Sequence, residues 1–268
     1  MSADEQQDLR KLLQLLERAM PWEQLTGNPS NEWQVQVGSA LAGDDAKTAP
    51  YQLSHAAWHA LTVAVNHLSC FRDSLLGELK EDHLTARIHT HAQSSLVRGA
   101  IEDSARAVWL LGPAKRQTRV SRRLALEAIE VRSSYRLRTL ARAPAKRTQQ
   151  ERENQLRELA VAAGVPASDV KKTLRSPRYH DIVREAGDQM VLGADITEFI
   201  WSGCSSLAHG DLSGTLGLLN KEIVARDKDV AYTRVTGSIS GLYWSTVGAA
   251  LMIEHGFNLY LDRAARHY

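Results

Sequence analysis

The sequence has few cysteines and no apolar stretch within its first ten residues. Cys70 and Cys204 are the only cysteines among the 268 residues, too few for a disulfide-bonded scaffold. The first ten residues include acidic side chains, whereas a secretory signal begins with basic residues followed by an apolar stretch. We therefore expect a cytoplasmic protein.

A strong excess of either charge is also lacking. The chain has 33 lysines and arginines against 31 acidic residues, which gives a net charge of +2. Attraction to a polyanion would therefore require local clustering of cations. Hydrophobic residues make up 43% of the chain, which is typical of a globular protein and excludes general disorder.

One stretch, Val235–Ile253, has no charged residue over a length that could span a bilayer. Glycine, serine and threonine dilute its apolar content, and the mean hydropathy of the whole chain is −0.32. We predict a central helix of a bundle, because its small residues would let neighbouring helices approach closely. No membrane partner is expected.

Helical spacing of apolar residues dominates the sequence and predicts an all-α fold, a multi-helix bundle. The first helix is predicted to end at Pro21, and turn-forming residues from Pro21 to Pro50 predict a long irregular connector after it. Residues 1–50 would then be an N-terminal helix plus connector, and residues 51–268 a helical bundle domain. No alternating run is long enough to predict a sheet. Further helices are predicted at about 54–79, 83–111, 114–143, 149–163, 168–174, 195–210 and 232–266.

Arg98, Glu102 and Arg106 are spaced four residues apart, so they share one face of the helix predicted at 83–111. On an exposed face they would form a solvated ladder of weak ion pairs. Trp109 lies on the same face, and a bulky aromatic there favours cover by another element. In that case Glu102 would be the buried acid between two arginines. Both interpretations stay open.

His209 ends the helix predicted at 195–210, directly before Gly210. A helix C-terminus favours the imidazolium form, so His209 could be an acid or a contact for an anionic group, or simply a cap. Ser205 lies one turn earlier, but no nucleophile elbow or orienting acid accompanies it, which disfavours a hydrolase. Arg98, Glu102 and His209 are the candidate catalytic residues.

His55 and His59 are four residues apart on the helix predicted at 54–79, as in helical zinc sites. No third ligand is evident in the pattern. A polar surface is the alternative interpretation, and the cofactor is left unknown.

The segment from Lys115 to Arg147 contains eleven cations against only Glu127 and Glu130. Arginines on one helix can contact successive phosphates of RNA or another polyanion. The alternative is internal pairing with the acidic residues near Glu151 or near Asp4. The candidate polyanion-binding residues are Arg116, Arg119, Arg122, Arg123, Arg132 and Arg136.

Two segments together resemble a known group of proteins. The first contains Arg98 and Glu102, and the second, Trp201–Gly210, contains Ser205, His209 and Gly210. Both are similar to segments of a diffuse group of bacterial, largely actinobacterial, all-helical proteins that are distantly HEPN-like. The resemblance implies a helical fold and RNA binding, in some cases within defence or toxin systems. The HEPN nuclease pattern itself is not matched, because Pro177 interrupts the only Arg-x4-His spacing, from Arg175 to His180.

Three functions follow from these observations. The first is a HEPN-like protein that binds RNA or another polyanion through the arginine-rich helix. The second is an enzyme or small-molecule binder with a polar pocket formed by His59, Asn66, Arg98, Glu102 and His209. The third is a homodimeric helical scaffold. Phosphate-loop, dinucleotide-binding and paired-cysteine motifs are missing, which disfavours the common nucleotide and redox activities.

Overall fold

The computed structural model describes residues 2–27, 33–80 and 83–267, and it confirms the all-α class. Helices make up 70% of the chain, and the described residues form two small antiparallel sheets besides. The elements are α1 Ala3–Gly27, α2 Ala40–Thr48, α3 Leu53–Leu75, β1 Leu76–Lys80, β2 His83–Ala86, α4 Ala92–Leu111, α5 Arg116–Leu140, α6 Gln149–Ala162, α7 Val170–Thr173, α8 Tyr179–Gly187, α9 Gly193–His209, α10 Leu212–Leu218, β3 Asn220–Asp227, β4 Val230–Thr236 and α11 Ile239–Ala264.

The main core is built on α3, α4 and α11, with α1, α2, α8 and α9 packed around them. Phe71, Val108, Ile253 and Tyr260 are fully or almost fully buried there. In α11, a Cβ on Gly256 would lie 2.6 Å from Leu61, so the glycine permits the close packing expected of a central helix. Among the described residues, no helix is long and apolar enough to cross a membrane. The core also takes side chains from both sides of the predicted boundary between residues 50 and 51.

A second, smaller core lies between α5, α6 and α7. Leu124, Val131, Leu156 and Ala160 are buried in it, and Val165 and Val170 close one end. The beginning of α6 is fixed by a capping box, in which Thr148 and Glu151 bond each other's backbone N–H groups. The helix α5 takes part in both cores, since its Leu126 belongs to the main one.

The irregular connector is shorter than predicted. The helix α1 continues through Pro21 to Gly27, because Trp22 and Leu25 pack against the main core and carry the helix past the proline. Within the supposed connector, Ser39 caps α2 by accepting a hydrogen bond from the backbone N–H of Ala42. Residues 28–32 of the predicted connector lie outside the described residues.

The single helix predicted at 83–111 is wrong at its start. Residues 83–86 form β2 and pair with β1, and α4 begins only at Ala92. The fully buried Gln93 holds the intervening chain outside the helix. Its side-chain oxygen accepts from the backbone N–H of His89 at 2.9 Å, and its nitrogen donates to the carbonyl of Arg87 at 2.8 Å.

The last helix begins later than the predicted residue 232, and the segment before it is a hairpin. Strand β4 pairs with β3 across a two-residue turn in which Lys228 has a φ of 51°. Both faces of this hairpin are largely exposed. Ser238 caps α11 by accepting from the backbone N–H of Gly241 at 3.1 Å.

Candidate functional site

Arg98, Glu102 and His209 meet between α4 and α9. The Nε of Arg98 donates to Oε1 of Glu102 at 2.8 Å, and a terminal nitrogen of Arg98 lies 3.5 Å from Nε2 of His209. Trp201 of α9 donates its indole N–H to the same oxygen of Glu102 at 2.9 Å. These four residues form what we name the α4–α9 cluster.

Local sequence explains this convergence. Arg98 and Glu102 are one turn apart on α4, which brings their side chains together. Gly210 ends α9 with a φ of 72°, a left-handed conformation that favours glycine, and leaves the exposed His209 as the last helical residue. Sequence reasoning missed Trp201, although it begins the same Trp201–Gly210 segment.

The α4–α9 cluster is partly buried, since the side chain of Glu102 is 17% exposed and that of Arg98 is 27% exposed. Glu102 therefore accepts two hydrogen bonds in a partly desolvated position. A guanidinium only donates hydrogen bonds, so Arg98 and His209 can share one only in the tautomer that leaves Nε2 of His209 unprotonated. A terminal nitrogen of Arg98 lies beside the exposed His209. At this position the guanidinium of Arg98 can contact an anionic group.

The predicted ladder does not continue to Arg106. Arg106 instead pairs with Asp103 at 3.1 Å and donates to the hydroxyl of Tyr179 at 2.6 Å. Burial raises the pKa of Asp103 above its ordinary value, and the positive charge of the nearby Arg106 opposes this shift. Glu102 is consequently not an acid between two arginines.

The expectation that another element covers Trp109 is confirmed. Trp109 is 6% exposed, and its indole N–H donates to Glu185 of α8 at 3.1 Å. The guanidinium of Arg122 lies over its ring, 4.5 Å from the centroid. The buried end of this α4 face is therefore held by α5 and α8.

The helices α3, α4 and α9 do not bring together the five side chains of the predicted polar pocket. His59 and Asn66 are exposed on α3, while Arg98, Glu102 and His209 assemble on the side of α4 that faces α9. The histidine of α3 that reaches α4 is His67, with Nε2 3.8 Å from a carboxylate oxygen of Asp103.

The histidine pair proposed for a metal is also exposed. The ring of His55 packs edge-on against Trp33, with centroids 6.4 Å apart. The part of the chain that the structure describes holds no group of three His, Cys, Asp or Glu side chains able to bind a metal ion. The structure therefore supplies no third ligand for His55 and His59.

The first half of the arginine-rich helix is engaged inside the protein. Arg119 is 2% exposed and forms a two-point ion pair with the fully buried Asp44 of α2, at 2.6 and 2.9 Å. Arg116 pairs with the same carboxylate at 3.1 Å. These arginines hold α5 against the main body. The acids involved are not those of α6 or α1 that the internal-pairing alternative suggested.

Arg123 and Arg122 have comparable structural roles. Arg123 is 6% exposed and pairs with Glu127 at 2.8 Å, while Arg122 pairs with Glu185 and donates to the backbone carbonyl of Trp109. Burial lowers the pKa of Arg122. Of the six candidate polyanion-binding arginines, only Arg132 and Arg136 are exposed without an ion pair within the described part of the chain.

The second half of α5 and the loop to α6 present a different surface. Six cations lie between residues 131 and 150 without an acidic residue among them, and all six are exposed. None of the six forms an ion pair among the described residues, although Arg147 has an electrostatic interaction with Glu151. We name this set the basic tip, and it consists of Arg132, Arg136, Arg138, Arg142, Lys146 and Arg147.

The basic tip includes a groove of about 430 Å³ between the end of α5 and the start of α6. Tyr135 forms an aromatic part of its wall, and Arg138, Lys146 and Arg147 supply the charge, while Arg152 in the same wall pairs with Glu127 at 3.0 Å. Arg138 donates to the carbonyl of Pro144 at 2.9 Å, which fixes the loop that carries Lys146 and Arg147. The groove is thus a preformed concave surface of positive charge.

An apolar cavity of about 380 Å³ opens near the α4–α9 cluster. It lies between α9, α10, α11 and the start of α4, and none of the residues of the predicted polar pocket lines it. Cys204 lies in its wall, and burial raises the pKa of this thiol to about 11. Cys204 is therefore neutral at pH 7 and a poor nucleophile.

Comparison with family models, with curated proteins and with solved structures found no match. The HEPN-like resemblance accordingly remains a prediction, and the functional argument depends on the geometry of the chain itself.

Proposed function

We propose that this protein binds the phosphate backbone of single-stranded nucleic acid, RNA foremost, through the basic tip. The observation that carries the proposal is the run of six exposed cations over residues 131–150, which no acidic residue interrupts. Elsewhere on α5 the arginines are used in ion pairs, so the positive potential of this helix is concentrated at its free end.

Three features support a nucleic-acid backbone as the ligand. Arginine is suited to two-point phosphate contacts. The groove beside Tyr135 is concave, and an aromatic side chain in a basic groove offers a stacking surface for an unpaired base. No base-reading arrangement is evident in the described groove, so we propose binding with little dependence on sequence.

The proposal is tested by fluorescence anisotropy with a labelled single-stranded RNA and a matching DNA, over a salt series. If all six cations contact phosphates, the logarithm of affinity should fall against the logarithm of salt with a slope of about −4. Substituting three of them, as Arg132→Gln, Arg136→Gln and Lys146→Gln in one variant, should reduce the slope to about −2.

A matched control removes three exposed cations elsewhere, as Arg10→Gln, Lys171→Gln and Lys172→Gln. It has the same net charge as the test variant and should bind like the wild type. Equal loss in both variants would show that only total charge matters, and no binding at tens of micromolar in low salt would overturn the proposal.

The exposed Leu137 and Leu140 lie beside these cations, at 66% and 73% exposure. This pattern also suits an anionic lipid surface. Vesicles of phosphatidylglycerol are therefore a second arm of the same experiment. Binding to vesicles without binding to RNA or DNA would replace the proposal by a membrane-surface function.

A further inference from the structure

We propose that the apolar cavity between α9, α10 and α11 is a binding site for a small neutral molecule with an apolar body and one hydroxyl or carbonyl group. This site is separate from the basic tip, and its residues play no part in the proposed nucleic-acid binding.

The walls of the cavity define the apolar body of the ligand. Ile200 and Leu207 of α9, Leu218 and Leu219 at the end of α10, and Leu242 of α11 surround it. A volume of about 380 Å³ lies at the lower end of the range of small-molecule pockets.

The mouth of the cavity exposes two large aromatic side chains. Phe199 is 69% exposed and Trp244 is 59% exposed, although both line the cavity. Large apolar groups at the rim of a concave site extend its apolar surface toward an entering ligand.

A serine hydroxyl in the wall of the cavity supplies the polar end. Ser94 is 5% exposed and lines the cavity, and its side chain has no hydrogen-bond partner among the described residues. The hydroxyl oxygen is not fully enclosed by protein atoms, so a ligand in the cavity can reach it and form a hydrogen bond with it. Of the other serines in the lining, Ser245 donates to the carbonyl of Gly241 and Ser238 caps α11, whereas the side chain of Ser240 is only half-buried. Ser94 is thus the most deeply placed serine hydroxyl left for a ligand.

The lining also selects against charge. Among the described residues that line the cavity, none is Asp, Glu, Lys or Arg, and the one histidine, His89, is exposed to solvent. Desolvating a carboxylate without a cation to pair with it is unfavourable. The ligand is therefore a neutral alcohol, ketone or amide in preference to an acid of the same length.

The experiment uses 1-octanol and octanoate as probes, with binding followed by calorimetry and by the fluorescence of the tryptophans. Octanol should bind saturably and at least tenfold more tightly than octanoate. Equal or tighter binding of octanoate, or no saturable binding of octanol, would overturn the proposal.

Two glycines provide a matched pair of variants. Gly203 lines the cavity, and a Cβ there would lie 3.3 Å from the flexible end of Leu218, so Gly203→Leu should fill the cavity and weaken octanol binding at least tenfold. Gly217 has nothing within 4 Å of such a Cβ and does not line the cavity, so Gly217→Leu should bind octanol normally. Unchanged binding by Gly203→Leu, with a melting temperature that shows it is folded, would overturn the proposal.

Ser94→Ala tests the polar end and should weaken octanol binding about tenfold. Ser95→Ala is its control, because Ser95 is outside the lining and donates to the carbonyl of His91.

Sedimentation of the wild type and of Gly203→Leu tests whether a second copy of the chain occupies the cavity instead of a small molecule. A wild-type dimer that Gly203→Leu converts to a monomer would mean that a second copy fills the cavity, and the ligand proposal would be wrong.

Discussion

Among the ion pairs of the described residues, the one between Asp44 and Arg119 should be the most costly to break. Asp44 is fully buried and Arg119 is 2% exposed, and the two side chains make hydrogen bonds of 2.6 and 2.9 Å. The second terminal nitrogen of Arg119, Nη1, donates to the carbonyls of Pro113 and Ala114. Asp44→Asn keeps the shape but removes the charge, and so leaves a buried guanidinium without its counter-charge.

Breaking a buried pair in this way costs about 3–5 kcal/mol, since neither water nor another anion can replace the lost carboxylate. For a chain of this size that corresponds to a fall of about 6–20 °C in melting temperature. The assay is thermal unfolding followed by circular dichroism, supported by urea unfolding to measure the free energy directly.

Asp195→Asn is the matched control, because Asp195 pairs with Arg184 at 2.8 Å but is 89% exposed. The same substitution there should cost less than about 1 kcal/mol. A second comparison replaces both partners by apolar residues, as Asp44→Leu with Arg119→Met, and should recover most of the loss. If Asp44→Asn melted within 2 °C of Asp195→Asn, our account of α5 anchored by buried charge would be refuted.

Three further predictions concern single side chains. Glu102→Gln should lower the free energy of unfolding by about 1–3 kcal/mol in urea titrations, between the buried and exposed limits, because Glu102 is partly exposed and Arg98 is its one ion-pair partner among the described residues; a loss as large as that of Asp44→Asn would contradict this geometry. Gly210→Ala should cost about 1 kcal/mol in the same titrations, through its φ of 72° alone, since nothing lies within 4 Å of the added Cβ. Burial lowers the pKa of His255, whose Nε2 has no partner among the described residues, so the unfolded chain takes up the proton first and stability should be lost as the pH falls below about 6.5. Melting temperatures at pH 7.5 and 5.5 should therefore differ less in His255→Leu than in the wild type, and an equal difference would exclude His255 as a source.

Helical periodicity predicted most of the helices, and the errors have physical causes. Pro21 is an ordinary stop signal, but packing of Trp22 and Leu25 outweighs it. The β3–β4 hairpin gives no alternating pattern because neither of its faces is buried, and alternation arises only when one face is. The packing of Trp22 and Leu25 and the lack of packing on the hairpin both depend on residues that are distant in sequence.

The candidate site was predictable to a similar extent. The four-residue spacing of Arg98 and Glu102 is a local property of one helix, and Gly210 marks where α9 ends. The division of the arginines of α5 into buried and exposed groups could not be predicted, since it depends on Asp44, which the sequence pattern places in an irregular segment. Likewise, the spacing on α4 did not reveal that Arg106 turns to Asp103.

The two hydrophobic cores imply two levels of local stability. At about 1.5 Å per residue, α5 is a rod of about 37 Å that begins beside the main core and ends beyond it. The small core of α5, α6 and α7 contains few buried side chains, so this unit can open and close while α3, α4 and α11 stay packed. Amide hydrogens of α6 would then exchange with solvent sooner than those of α4. Protease nicking in the native state would likewise begin in the arm that carries the cations and spare the helices that enclose the apolar cavity.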